Sequence, residues 1–356
     1  MTQSLLLLGI NGTSLTSGEA ERFRRLLPAG YILFSRNIAD ARQTRKLTDD
    51  LREISNFEPI IAIDQEGGRV TRTTALASPA PSAPALAARA NYGLIHDAAV
   101  LTADLLRLFG CNMNFAPMLD LDHFPDVSNA TSGRSWGRDP QRVIDYAGHW
   151  NRWLRKRSIA TCGKHFPGGG RATSDPHHDL PRCNATLEEL LREDILPFTA
   201  LMPELDSIML AHIEFPILDS DYPASLSSKI IRGLLRGQLG FDHHLVMTDD
   251  LDMGAITKRF GRGEDAKRAI EAGNDLAMIC HNTESADLAA QAIANLPITI
   301  QDEAHERVER FRHKALNGPL LWSDSHWEKT VSGLAELAGT LPDFQSAETS
   351  SPVADY

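Results

Sequence analysis

Short runs of consecutive apolar residues recur along the chain, and the stretches between them return apolar side chains every three or four positions. The runs Leu5 to Gly9, Tyr31 to Phe34, Ile60 to Ile63, Met113 to Ala116, Ile159 to Lys164, Ser207 to Ala211, Leu245 to Thr248 and Leu276 to Cys280 read as strands, several of them apolar throughout, as in a parallel sheet covered by helices. Helix starts fall between them. Thr16 with Glu19 and Thr186 with Glu189 form capping boxes, and Asp40 caps a segment with Leu47, Leu51 and Ile54 on one face. Asp139 followed by Pro140 opens the helix bearing Val143, Ala147, Trp150 and Leu154, while Ser227 and Thr283 open two more. Strands and helices alternating eight times predict an α/β fold of the (β/α)8 TIM-like barrel type; an open sheet usually stops at about five or six strands.

The pattern predicts a single barrel domain over 1–317, then a C-terminal extension over 318–356 that is partly disordered. Near the end of the barrel, Gln301 to Ala315 is a further helical pattern with Val308 and Phe311 apolar. Gly339 to Tyr356 is rich in Ser, Thr, Pro and acids, which predicts a mobile tail without catalytic work. The longest connections, Thr73 to Asn91 and Asp120 to Arg138, follow the third and fourth strands, where a barrel builds its substrate pocket.

Composition narrows the function. With 42% hydrophobic and 23% charged residues, the chain has ample material for a buried core. The formal charge is 36 − 47 = −11 and no run of Lys or Arg occurs, so a nucleic-acid partner is not expected. No stretch reaches the length of a membrane span, and the apolar run Leu5 to Ile10 precedes the first basic residue, Arg22, which does not fit a signal peptide. Cys111, Cys162, Cys183 and Cys280 stand singly, without metal-type or disulfide-type spacing. A cytosolic, reduced, monomeric protein acting on a small molecule is expected.

In a barrel the C-terminal strand ends face the active site, and here they carry Asp64, Asn114, Lys164 with His165, His212, Asp249 with Asp250, and His281. Asp249 can attack an electrophilic carbon or bind a metal; as a structural residue it would cap a helix or close a salt bridge, the more ordinary role for Asp250. After the fifth strand, Gly168-Gly169-Gly170 leads to Asp175, His177 and His178. An aspartate orienting an imidazole makes a general acid/base, so His177 is the stronger candidate of the two histidines. Asp64, with Gly67-Gly68 and the arginines that follow, can hold adjacent hydroxyls, or it can be an internal ion pair that pins its own loop. That Gly-Gly lacks the Lys and Ser/Thr of a phosphate loop, and no cofactor is called for.

Two mechanisms fit this set. One is covalent glycoside cleavage with Asp249 as nucleophile and His177 as proton donor. The other is metal-assisted hydrolysis, with His165, His177, His212, His281 and Asp249 around zinc. Against a metal, Gly9-Ile10-Asn11-Gly12 stands where a His-x-His would follow the first strand, so none is expected.

Ile63-Asp64-Gln65-Glu66-Gly67-Gly68-Arg69-Val70, Gly133-Arg134-Ser135-Trp136-Gly137, Gly163-Lys164-His165-Phe166-Pro167-Gly168 and Thr248-Asp249-Asp250-Leu251-Asp252-Met253 together resemble family 3 glycoside hydrolases of the bacterial NagZ type. The likeness runs from about Leu5 to about Asn317. It implies a β-N-acetylhexosaminidase with Asp249 as nucleophile and Asp175 with His177 as the acid/base dyad. It further implies that Asp64, Arg72, Arg134, Lys164 and His165 bind the N-acetylglucosamine unit. Two positions depart from the family pattern: Gly169 replaces a histidine found in many relatives, and Pro176 replaces the serine of Asp-Ser-His. Pro176 fixes its own φ and biases Asp175 toward extended backbone, so a stiffer segment is expected there.

The resemblance implies cleavage of terminal β-linked N-acetylglucosamine from 1,6-anhydro-N-acetylmuramic acid fragments during cytosolic peptidoglycan recycling. Because an imidazole acid/base repels an anionic acceptor less than a carboxylate would, a phosphorylase making the sugar 1-phosphate is the alternative enzyme. A sugar-binding barrel without catalysis is the alternative from another class.

Overall fold

The apolar runs become eight parallel strands that close on themselves in sequence order, in a computed structural model that describes residues 3–127, 129–172 and 180–341. The strands are β1 (Ser4–Gly9), β2 (Pro28–Leu33), β3 (Ile60–Ile63), β4 (Met113–Asn114), β5 (Ala160–Phe166), β6 (Ser207–Leu210), β7 (Leu245–Asp250) and β8 (Leu276–Ile279). The barrel closes where β8 returns to β1, with Leu6 beside Ala277, Leu7 beside Met278 and Leu8 beside Ile279. Every residue of β2, β3, β4, β6 and β8 is buried, because helices cover the outside and side chains fill the inside.

Caps set the helices as the sequence predicts. Thr16, Asp40 and Thr186 each form a reciprocal capping box, and Asp139 accepts from the Gln141 amide with Pro140 in the first turn. Ser227 Oγ accepts from the Ile230 amide at the start of Lys229–Gln238, a segment wound as a π-helix. Thr283 opens one 3-10 turn ahead of the helix Ala286–Ala294.

The structure corrects several boundaries, β2 beginning at Pro28, three residues before the predicted start. β5 runs on to Phe166 and β7 to Asp250, two residues beyond the predicted ends, so His165 and Asp249 sit on strands rather than in loops. β4 shrinks to two residues, since Pro117 has no N–H to give the ladder. The connection Thr73 to Asn91 is not wholly irregular: Ser82 Oγ accepts from the Ala85 amide and starts the helix Ala83–Arg89.

Past the barrel, the helix Asp324–Gly339 packs on the helix Tyr92–Leu108. Leu334 and Leu337 join the core, the Trp327 ring lies 5.6 Å from Phe109, and Arg107 Nη1 donates to the Asn317 carbonyl at 3.2 Å. The predicted tail falls mostly outside the described residues. All four cysteines are buried thiols. Among the described residues, no helix is long and apolar enough to cross a membrane.

Candidate active site

On β5 and β7 a single residue escapes full burial: His165 on the first and Asp249 on the second. Both lie at the C-terminal strand ends, where a barrel opens to ligand. The two side chains face each other, His165 Nε2 3.9 Å from Asp249 Oδ2. His165 is aimed by Asp120, whose Oδ2 lies 2.7 Å from Nδ1. Asp120 is itself buried and also accepts from the backbone amides of His165 and Gly169. Burial alone would raise its carboxyl, but the facing imidazole and these hydrogen bonds outweigh that and hold it below its ordinary value. With Asp120 anionic, Nδ1 carries the hydrogen and Nε2 is the nitrogen turned to Asp249.

A second group of charges stands beside this pair. Lys164 is buried, with Nζ 2.7 Å from Asp64 Oδ1 and 2.6 Å from Glu66 Oε1, and Arg134 grips Glu66 with two bonds of 2.9 and 2.7 Å. Arg72 completes the group, its Nη2 3.5 Å from Asp64 Oδ2 and its guanidinium 5.4 Å from the centre of the Phe34 ring. Burial pushes the Glu66 carboxyl up and the Lys164 ammonium down; in both cases the opposite charges win, so Glu66 lies well below the carboxylate range and Lys164 above its ordinary value.

Local backbone explains why the strand-three loop delivers these groups. Gly67 and Gly68 adopt φ of +94° and +60°, a turn that favours glycine, and it brings Arg72 back beside Asp64. Gln65 staples the loop: its amide N–H donates to Asn114 Oδ1, its Nε2 to Thr73 Oγ1, and its Oε1 accepts from the Arg72 amide. Asn114 is thus a fastener for this loop. After β5, a Cβ on Gly170 would come within 1.7 Å of the Leu121 carbonyl oxygen, so only glycine lets the chain pass.

The cavity has two lobes that share Arg134, His165, Asp249 and Met253. One is polar, with Asp64, Arg72 and Lys164; the other is lined by Ala130, Ala172, Ala211 and Ile213. Six predicted site residues, Asp64, Arg72, Arg134, Lys164, His165 and Asp249, therefore meet in one place. Asp175, His177 and His178 lie outside the described residues. His212 is buried with Nδ1 2.7 Å from Ser225 Oγ and Nε2 2.9 Å from the Asp250 carbonyl, and burial lowers its pKa. His281 Nδ1 faces Arg36. The sequence reading did not single out Glu66 or Asp120; Glu66 stands inside the quoted Asp64 motif and Asp120 follows the fourth strand, positions that a barrel turns toward its pocket.

The ion cluster yields a stability prediction. Glu66→Gln leaves Arg134 and Lys164 short of one buried negative charge, at a cost of about 3 kcal/mol or more. Calorimetry at pH 7 is expected to show a midpoint lower by roughly 4 °C or more. A depressed carboxyl stabilises above its unfolded pKa and loses that contribution as pH falls, so the gap to wild type should narrow below about pH 4.

Chemically, the site offers a part-exposed carboxylate, an imidazole turned toward it, and a paired set of donors and acceptors suited to ring hydroxyls. Residues 11–312 match the family model described as the glycosyl hydrolase family 3 N terminal domain. The chain is 34% identical to the "Beta-hexosaminidase" of Pseudomonas aeruginosa strain LESB58 over 333 residues, covering 93% of this chain and 98% of that one. Among solved structures it is similar to a family 3 β-N-acetylglucosaminidase from Paenibacillus sp. str. FPU-7, with TM-score 0.86 and 32% identity, covering 95% of this chain and 67% of that one. It is also similar to NagZ from Neisseria gonorrhoeae in complex with N-trifluoroacetyl-D-glucosamine, with TM-score 0.79 and 26% identity, covering 97% and 98%. Barrel, site and likeness agree: this chain belongs to glycosyl hydrolase family 3, as a glycosidase of its β-hexosaminidase branch.

Proposed function

We propose that the protein is a retaining β-N-acetylhexosaminidase that removes terminal, non-reducing β-linked N-acetylglucosamine through a glycosyl ester on Asp249. The observation that carries this reading is the placement of Asp249, a part-exposed carboxylate at the end of β7, beside the polar lobe of Asp64, Arg72 and Lys164. Those three hold the ring hydroxyls. Arg134 and His165, which border both lobes, position the ring against Asp249.

In the first step Asp249 bonds to the anomeric carbon as the glycosidic C–O bond breaks, and His177 as imidazolium gives its proton to the departing oxygen. Asp175 holds that imidazole. In the second step the neutral His177 takes a proton from water, the water oxygen bonds to the anomeric carbon, and the ester to Asp249 breaks. Two inversions return the β-configuration.

The substrate we propose is the disaccharide of N-acetylglucosamine and 1,6-anhydro-N-acetylmuramic acid, with or without peptide, handled in the cytosol during peptidoglycan recycling; the barrel of 1–317 carries the activity. The likeness to NagZ supports this choice. The test is release of N-acetylglucosamine from that disaccharide and from an aryl β-N-acetylglucosaminide in phosphate-free buffer. Release from both is expected. Release from neither, or only when phosphate is added and with sugar 1-phosphate as product, contradicts the reading.

A further inference from the structure

The residue after Asp249 raises a physical problem. Asp250 is also a buried carboxyl, and Asp252 brings a third acid within two residues. Three adjacent negative charges at the mouth of a barrel repel one another strongly unless cations or protons offset them. Asp252 has its cation, since Arg262 pairs with it. Asp249 has the His165 imidazole in front of it.

Asp250 has a different set of neighbours. Its Oδ1 accepts two backbone N–H groups, from Asp252 at 3.0 Å and Cys280 at 3.1 Å, and so ties the end of β7 to the residue after β8. Its Oδ2 is buried and meets no hydrogen-bond partner among the described residues, and His281 Nε2 lies 3.6 Å from it. The nearby guanidinium of Arg36 is spent elsewhere, on the carbonyls of Ile10 and Cys280 and on His281 Nδ1. Just after β6, His212 meets the backbone carbonyl of Asp250. Two accepted hydrogen bonds on Oδ1, and on Oδ2 an imidazole nitrogen that stays beyond hydrogen-bond distance, fit a carboxylic acid with its proton on Oδ2.

We propose that Asp250 is a positioning residue that works as a neutral acid, fixing the end of β7 beside Asp249 without placing a second negative charge next to it. The proposal rests on the reading of Asp249 as the nucleophile. Burial first, then the charges of Asp252 and Asp249, push the Asp250 carboxyl up to about 8, which agrees with the geometry. Two adjacent carboxyls thereby take different jobs: an ionised one attacks, and a protonated one holds it in place.

The experiment is the pH dependence of kcat and kcat/KM on an aryl β-N-acetylglucosaminide for wild type, Asp250→Ala and Asp250→Asn. An amide keeps the Oδ1 acceptor and is neutral, so it copies the protonated acid. Asp250→Ala is expected to lower kcat by about 30-fold while KM moves by less than about threefold, because the misplaced nucleophile affects the transition state more than ground-state binding. Asp250→Asn is expected to recover kcat to within about fivefold of wild type, with the acid limb of kcat/KM moved by less than about 0.3 pH unit. If Asp250 is charged in the working enzyme, Asp250→Asn removes a negative neighbour of Asp249 and moves that limb down by about one unit or more, which overturns the proposal. So does an Asn variant as impaired as the Ala variant. If Asp250→Ala does not fold, the limb of the Asn variant still decides. Wild type inactive on the glycoside would instead overturn the hexosaminidase reading, and the Asp250 proposal with it.

Discussion

Asp249→Ala is expected to lower kcat on an aryl β-N-acetylglucosaminide by about 10⁴-fold or more, with the protein still folded. The magnitude follows from position. Asp249 is the residue of β7 left part-exposed at the pocket, so under the proposed reading its carboxylate can reach an anomeric carbon seated beside Asp64, Arg72 and Lys164. The fold is expected to survive the change: Oδ1 accepts the Asp250 amide at 2.8 Å, a partly buried hydrogen bond of the kind whose loss costs about 0.5–1.5 kcal/mol. Stopped assays with the variant's circular dichroism as control check both halves. Activity within tenfold of wild type would mean that another group attacks.

The second large effect is expected from His177→Ala, and its size should depend on the leaving group. With an alkyl or sugar aglycone the departing oxygen needs a proton, and loss of the acid should cost about 10² to 10⁴ in kcat/KM. A nitrophenolate leaves without one, so the same substitution should cost only about tenfold or less in the first step, and hydrolysis of the ester becomes the slow step. A burst of nitrophenol equal to the enzyme concentration would reveal that ester accumulating. Equal losses on both substrate types would remove His177 from the proton-transfer role.

Much of this arrangement is legible in the sequence, for a physical reason. Strands buried on both faces must be apolar throughout, so the barrel core announces itself, and the polar residue that ends such a run must face the pocket; Asp64, Lys164, His165 and Asp249 follow directly. The same reasoning fails where a strand continues under ionisable residues. His165-Phe166 and Asp249-Asp250 look like loop, yet β5 and β7 pass through them.

Partnerships across the chain are harder to see. Arg134 grips Glu66 from 68 positions away and Asp120 aims His165 from 45 away, and no local spacing signals either pair. Asn114, one candidate among the strand-end groups, proves to be a staple for Gln65. The helix Ala83–Arg89 hides in a stretch whose Ala and Pro content reads as a loop, until Ser82 is recognised as its cap. Asp250 departs from its ordinary reading: it caps no helix, its Oδ1 instead links the amides of Asp252 and Cys280, and its buried Oδ2 is visible only in three dimensions.

The central claim is a covalent bond between Asp249 and the sugar. It is tested most directly by incubating the protein with a 5-fluoro-N-acetylglucosaminyl fluoride, which forms the ester readily and hydrolyses it slowly, and then locating the added mass by peptide sequencing in a mass spectrometer. The account predicts one sugar per chain, on Asp249 of Thr248-Asp249-Asp250-Leu251. An adduct on any other residue, or turnover of the reagent with none formed, would contradict it.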